Sequence, residues 1–136
     1  MNEVFADAGF FIAILDDRDQ YRETVRRALE TFTGYRIVTT EMVLVEVFAA
    51  LSRQGSQARA ALVNHLHRLR NDPNVTIIPQ TPEQFTSAAQ LFAQRLDQRF
   101  SLTDCASFLV MKERGIRQAL TFDTDFSVEG FTTTPA

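Results

Sequence analysis

The chain has 136 residues, of which 45% are apolar and 23% are charged. This length and composition are typical of one soluble globular domain and argue against disordered and fibrous proteins. The net charge of −3 argues against a protein that coats nucleic acid through bulk positive charge, and the single cysteine excludes a disulfide framework and a four-cysteine zinc site.

The apolar pattern predicts strands that alternate with helices along the chain. Short apolar or β-branched runs predict four strands and a short edge strand, over 4–6, 36–39, 75–78, 119–122 and 131–133. Apolar residues at three- and four-residue spacing predict helices over 19–32, 41–53, 56–71, 82–98 and 103–114. Because strands separated by helices need crossovers, we predict a single α/β domain over 1–136, with a central parallel sheet of four to five strands and helices on both faces.

Ala8-Gly9 is predicted to form a turn before the apolar run 10–15. This run is the part of the sequence most similar to a targeting or membrane segment. Asp16 and Asp17 end this run, which is too short for a signal peptide or a bilayer-spanning helix. Cys105, the one cysteine, fits a reducing compartment. The sequence therefore predicts a cytoplasmic protein without a membrane partner.

Four acidic residues stand out because each follows a predicted strand or interrupts an apolar pattern. Asp7 and Asp123 end the first and fourth predicted strands. Asp104 begins the helix 103–114, and Glu46 is the one polar residue within 42–51. Because a helix with apolar residues all round is buried, we expect the carboxylate of Glu46 to be buried. Because ligands of open parallel sheets bind beyond the carboxyl ends of the strands, we expect all four carboxylates at one crevice. The ordinary alternatives are caps, turns or loop positions for the aspartates and a salt bridge for the glutamate.

A cluster of such carboxylates favours a bound cation. Two carboxylates ~5 Å apart repel by roughly 3 kcal/mol at an effective dielectric of about 20, and three such contacts approach the stability of a whole domain, ~5–15 kcal/mol. The cluster therefore persists only if it is protonated or holds a cation, and oxygen ligands select Mg²⁺ or Mn²⁺ over zinc. Because such an ion activates water for attack on a phosphate, the pattern predicts metal-assisted phosphodiester hydrolysis.

Four stretches of the chain carry these acids in order: FADAGFFIA at 5–13, TTEMVLVE at 39–46, SLTDCASF at 101–108 and LTFDTDF at 120–126. Together they resemble the motifs of PIN-domain ribonucleases, especially the VapC-type toxins of bacterial toxin–antitoxin pairs. The resemblance implies an endoribonuclease that depends on Mg²⁺ or Mn²⁺, with Asp7, Glu46, Asp104 and Asp123 as catalytic residues around the ion. It also implies an RNA substrate, a homodimer and an antitoxin whose C-terminal segment blocks the site.

Two positions leave alternatives open. Ala8 stands where many relatives carry Ser or Thr, which allows a non-catalytic RNA- or protein-binding module of the same fold. Asp125, directly before Phe126, competes with Asp123 for the role of fourth acid, and we favour Asp123. A phosphoacceptor receiver domain is disfavoured, because it needs a lysine after a late strand and Lys112 lies in a predicted helix.

Arginines supply nearly all of the basic residues of this chain. Arg18, Arg22 and Arg26 recur at four-residue spacing on one predicted helix, and Arg95 and Arg99 do so on another. Since the guanidinium binds phosphate in a bidentate manner, either stripe is a candidate contact for the RNA backbone. The alternative is a solvated helix face on which the arginines pair with neighbouring acids.

Overall fold

The computed structural model describes residues 2–136, and within this range one or two α-helices separate each strand from the next. The strands are β1 (Glu3–Ala6), β2 (Arg36–Thr40), β3 (Val75–Ile78), β4 (Gln118–Leu120) and β5 (Thr132–Thr134). The α-helices are α1 (Ala8–Leu15), α2 (Arg22–Thr31), α3 (Glu41–Leu51), α4 (Ser56–Asn71), α5 (Pro82–Gln94), α6 (Leu102–Arg114) and α7 (Asp125–Val128). A 3₁₀ helix over Ser52–Gln54 joins α3 to α4. In the part of the chain that the structure describes, no helix has the length and apolar character needed to cross a bilayer.

The five strands form one parallel sheet in the order β3-β2-β1-β4-β5. From β1 the chain moves outward to β2 and β3 on one side, and it then crosses to β4 and β5 on the other. The switch point of the sheet therefore lies between β1 and β4, where ligands of parallel sheets bind at the carboxyl ends of the strands. The predicted α/β fold with a central parallel sheet is confirmed.

Local signals explain the elements beside the switch point. Residues 4–6 of β1 are completely buried, as expected for a central strand. The side chain of Thr40 accepts a hydrogen bond from the backbone N–H of Val43 at 3.1 Å, which caps α3 directly after β2. Gly115 ends α6 in the left-handed conformation, with φ of 70°, where a residue without a Cβ is favoured.

A cluster of phenylalanines holds the elements around the switch point together. The ring of Phe108, on α6, lies edge-on to those of Phe100 and Phe126, with centroids 5.0 Å away in both pairs. Phe126, on α7, also lies 6.1 Å from the ring of Phe5 on β1. Full burial of each such ring contributes about 1.5–3 kcal/mol. The cluster therefore ties β1, α6 and α7 to one another.

Two predicted boundaries near the switch point were wrong. Ala8 and Gly9 form the first turn of α1 instead of a turn before it, because Asp7 already occupies the N-cap position. β4 ends at Leu120, since its pairing with β1 stops at Ala6 and Leu120. Asp123 therefore lies in the loop beyond β4, not at the end of a strand.

Neither predicted arginine stripe forms. α5 ends at Gln94, because Arg95 leaves helical geometry with φ of −123° and ψ of 37°, so Arg95 and Arg99 lie beyond the helix. The first stripe also fails, because α2 begins only at Arg22. Its members pair with neighbouring acids, namely Arg18 with Asp16, Arg22 with Asp17 and Arg26 with Glu23. The alternative of a solvated face with acidic neighbours describes these residues.

Candidate metal centre

Three aspartates meet at the switch point of the sheet. Asp7 follows β1, Asp104 lies in the first turn of α6, and Asp123 lies in the loop after β4. Each offers one carboxylate oxygen, and these atoms all lie within 4.8 Å of one another. Asp7 and Asp104 expose 9% and 7% of their surface, and Asp123 is half-buried. The structure thus brings together three of the four acids that the sequence singled out.

Thr121 positions two of these aspartates through its buried hydroxyl group. Its Oγ1 donates to Oδ2 of Asp7 at 2.9 Å and accepts from the backbone N–H of Asp123 at 3.0 Å. The backbone N–H of Asp7 also donates to the carbonyl oxygen of Leu120 at 3.1 Å. The sequence interpretation assigned no role to Thr121. Its position directly after β4, at the edge of the sheet that Asp7 also occupies, is the signal that could have identified it.

Asp104 is positioned by a capping box at the start of α6. Ser101 Oγ accepts from the backbone N–H of Asp104 at 3.0 Å, and Asp104 Oδ2 accepts from the backbone N–H of Ser101 at 3.0 Å. The ordinary capping role of an acid at this position is therefore present. It is compatible with a second role, because the capping bond uses Oδ2 and leaves Oδ1 for another partner.

Glu46 lies at the rim of the cluster. The expectation of a buried carboxylate in an apolar helix was wrong, because α3 leaves one face open: Glu46 is exposed, and Val45 beside it is 66% exposed. Within residues 2–136, Glu46 takes part in no salt bridge. Partial desolvation of the carboxyl group and then the charges of Asp7 and Asp123 raise the pKa of Glu46. Its carboxyl group therefore belongs to the electrostatic environment of the three aspartates.

Asp125 is a further carboxylate beside the cluster. Its backbone N–H donates to Oδ1 of Asp123 at 2.9 Å. Partial burial and then the charge of Asp123 raise the pKa of Asp125, against the opposing influences of the Asp104 side chain and, after it, of Arg99. In this geometry Asp123 is one of the three clustered aspartates, and Asp125 holds the carboxylate of Asp123 through its backbone N–H.

The cluster concentrates negative charge where solvation is poor. Burial, followed by the charges of Asp123 and Asp7, raises the pKa of Asp104 to about 7. Burial also raises the pKa of Asp7, with a smaller contribution from the charge of Asp123. Across the described range, no lysine or arginine forms a salt bridge with any of the three. A positive charge at this position would favour the ionised carboxylates.

This set of donors fits a hard divalent cation. The donors are carboxylate oxygens, which suit Mg²⁺ and Mn²⁺. The neighbouring thiol of Cys105 is fully buried, and burial raises its pKa, so the site offers no thiolate. Oxygen ligands of octahedral Mg²⁺ lie about 2.1 Å from the ion, so neighbouring ligand oxygens stand about 3 Å apart and opposite ones about 4.2 Å apart. Donor atoms within 4.8 Å of one another therefore need to approach by at most about 2 Å.

Comparisons with known proteins place the same motifs in one family. The model of the PIN domain family matches residues 4–130. The chain is 29% identical over 128 residues to the 23S rRNA-specific endonuclease VapC20 of Mycobacterium tuberculosis, covering 94% of this chain and 95% of VapC20.

Solved structures show the same likeness at the level of the fold. The crystal structure of Mycobacterium tuberculosis VapC20, a toxin that cleaves the sarcin-ricin loop, gives a TM-score of 0.81 at 28% identity, covering 95% of this chain and 96% of that chain. FitAcB from Neisseria gonorrhoeae shares the fold, with a TM-score of 0.68 at 16% identity and coverage of 97% and 96%. Since the family model spans nearly all of the sequence and the strand order brings its acids together, the chain belongs to the PIN domain family.

Proposed function

We propose that this protein is an endoribonuclease that depends on Mg²⁺ or Mn²⁺, hydrolyses RNA phosphodiester bonds and acts as the toxin of a toxin–antitoxin module. The observation that carries the proposal is the group of carboxylate oxygens from Asp7, Asp104 and Asp123, all within 4.8 Å of one another at the switch point. The similarity to VapC20, a 23S rRNA-specific endonuclease, supports RNA as the substrate.

In this mechanism the three aspartates would hold the ion and Glu46 would complete the site from its rim. A bound Mg²⁺ or Mn²⁺ would supply a Lewis acid for the phosphodiester and a water molecule of lowered pKa. Thr121 keeps Asp7 and the loop of Asp123 in place through its two hydrogen bonds. Glu46 is exposed and its pKa is raised, so its carboxylate is suited to accept a proton from the attacking water and pass it to solvent.

Arg99 is our candidate for binding the RNA backbone beside the acids. It lies close enough to Asp125 to oppose the rise in the pKa of that carboxyl group. Its side chain forms no salt bridge within the residues described, whereas Arg95 is occupied by Glu129. A free guanidinium next to a cluster of carboxylates can bind a phosphate of the substrate in a bidentate manner. One member of the second predicted arginine pair therefore keeps its proposed role.

We also propose a homodimer in the cytoplasm, with an antitoxin whose C-terminal segment blocks the site. The toxin activity named for VapC20 supports the existence of an antitoxin, and the family resemblance supports the dimer. Light scattering of the purified protein tests the dimer. Co-purification with the product of a short neighbouring reading frame, followed by loss and recovery of RNA cleavage on its addition and removal, tests the antitoxin.

RNA cleavage in the presence and absence of divalent ions tests the catalytic proposal. We expect structured RNAs, including a sarcin-ricin stem-loop, to be cleaved with Mg²⁺ or Mn²⁺ and to stay intact with EDTA. Asp7→Asn and Asp104→Asn are expected to abolish cleavage. Asp72→Asn is the matched control, because Asp72 is an exposed turn residue whose Oδ1 accepts from the backbone N–H of Asn74 at 2.8 Å.

Two outcomes would contradict the proposal. Cleavage that is unchanged in both active-site variants would remove Asp7 and Asp104 from the mechanism. Failure of millimolar divalent ions to bind in calorimetry would favour the non-catalytic RNA- or protein-binding module, for which Ala8, without a hydroxyl group in the first turn of α1, leaves room.

A further inference from the structure

Two segments flank the acid cluster and are called its walls: residues 95–104, which lead from α5 to Asp104, and residues 121–129, which carry Asp123 and α7. Glu129 joins the two walls. Glu129 follows α7 directly, and its side chain is only 7% exposed. Arg95 Nε and Nη2 donate to Glu129 Oε1 and Oε2 at 3.1 and 3.2 Å. Lys112 Nζ of α6 donates to Oε2 at 2.6 Å. A carboxylate buried to this extent is held by a bidentate arginine and a lysine together, which fixes its position as well as its charge.

Each partner of this ion pair is connected to an acid of the site. The backbone N–H of Glu129 donates to the carbonyl oxygen of Asp125 at 3.1 Å, so Glu129 lies one helical turn after Asp125, the acid beside the cluster. On the other side, Arg95 begins the segment that continues through Arg99 to Ser101, the capping partner of Asp104.

We propose that Glu129 is a positioning residue of the metal centre: its ion pair with Arg95, supported by Lys112, holds the segment 95–104 against the segment 121–129 and thereby sets the separation of Asp104 from Asp123. This inference rests on the proposed function, because it assigns to Glu129 a role in the same site. Residues that orient metal ligands from outside the coordination shell typically change metal affinity by 10–100-fold when they are mutated.

The chain offers a matched control for a role in general stability. Glu3, at the start of β1, forms a second bidentate pair, in which Arg114 Nε and Nη2 donate to Oε1 and Oε2 at 3.2 and 2.8 Å. The arginines are equally exposed, at 34%, in the two pairs. Glu3 lies at the opposite end of the sheet from the acid cluster, because β1 runs from Glu3 towards Asp7. Glu3→Gln therefore removes an ion pair of the same chemistry without touching either wall of the site.

Amide hydrogen exchange of the metal-free protein tests the inference without reference to catalysis. Three backbone N–H groups report on the two walls, because each donates to a side chain of the site: those of Ser101, Asp123 and Asp125. We expect Glu129→Gln to accelerate their exchange at least tenfold, and Glu3→Gln to change it less than twofold. Equal rates in wild type and Glu129→Gln, or equal acceleration in both variants, would overturn the inference.

Mn²⁺ calorimetry on the same proteins gives the second measurement. We expect Glu129→Gln to weaken Mn²⁺ binding by about tenfold or more, Glu129→Asp to restore part of the affinity, and Glu3→Gln to bind as wild type does. Arg95→Gln leaves Glu129 paired with Lys112 and replaces Glu129→Gln if that variant does not fold; unchanged exchange and affinity in Arg95→Gln would then refute the role. If wild type bound no ion, the proposed function would fail, and the exchange experiment would still decide this inference.

Discussion

Asp104 makes the metal-free protein less stable as the pH rises. Burial and the charges of Asp123 and Asp7 raise its pKa from 3.8 to about 7. A difference of about 3 units corresponds to about 4 kcal/mol, and because Asp104 is only 7% exposed, solvent screens little of it. The folded-state pKa lies above the unfolded one, so the folded state binds the proton more tightly. This stabilisation is complete below pH 3.8 and is lost as the pH rises through about 7.

Asp104→Asn isolates this effect, because it removes the charge and keeps the cap. The amide oxygen can still accept from the backbone N–H of Ser101, as Oδ2 of the carboxylate does at 3.0 Å. In EDTA at pH 8 we expect the variant to exceed wild type in its free energy of unfolding by about 2–4 kcal/mol, a large fraction of the ~5–15 kcal/mol typical of a domain. Near pH 4.5, where most of the wild-type carboxyl is protonated, the difference is expected to shrink to about 1 kcal/mol.

Urea unfolding in EDTA and in Mn²⁺, at both pH values, measures these differences. Wild type should gain about 2.7 kcal/mol when Mn²⁺ reaches a hundred times its dissociation constant, and Asp104→Asn should gain far less at the same concentration. Asp72→Asn, in an exposed turn, should follow wild type throughout. The reasoning is refuted if Asp104→Asn is no more stable than wild type in EDTA at pH 8, or if the difference does not depend on pH.

Three further predictions concern the same site. Thr121→Val removes the hydroxyl that donates to buried Asp7, so we expect the free energy of unfolding to fall by about 1–3 kcal/mol and RNA cleavage to weaken, while Thr121→Ser keeps both; urea unfolding that matches wild type would show that the hydrogen bond is dispensable. Gly9→Ala places a Cβ 3.1 Å from Cδ2 of Phe122, so the ring must shift by a few tenths of an ångström. Because alanine also favours the helix by about 1 kcal/mol, we expect a net loss of about 0.5–2 kcal/mol in urea unfolding and weaker cleavage, and wild-type values for both would show that the ring moves freely. Because the pKa of Asp104 is about 7, ion binding displaces its proton, so Mn²⁺ affinity should rise between pH 6 and 8 with release of protons. Calorimetry in buffers of different ionisation enthalpy measures both effects, and a Mn²⁺ affinity that does not change with pH would contradict the prediction.

The sequence by itself determined the order of the five strands and of the five longer helices, α2 to α6, and the residues that begin and end many of them; it did not identify α1 or α7 as helices. Thr40 caps α3 and Gly115 ends α6 through contacts within a few residues of the chain, so these signals can be identified without the fold. Asp7 after a buried strand, and the capping box of Ser101 and Asp104, are local in the same way. The parallel arrangement followed as well, since strands separated by helices must be joined by crossovers.

Only the tertiary structure decided which side chains meet. Thr121 and Asp7 are 114 residues apart in the chain, and they form a hydrogen bond because β1 and β4 are neighbours in the sheet. Glu46 is at the rim because packing covers only part of α3, which an apolar sequence cannot show. Arg95 is occupied by Glu129, 34 residues away, although its spacing from other arginines suggested a free stripe. Capping and periodicity act over a few residues, whereas charge pairing and burial depend on strand order and on which helix faces are covered.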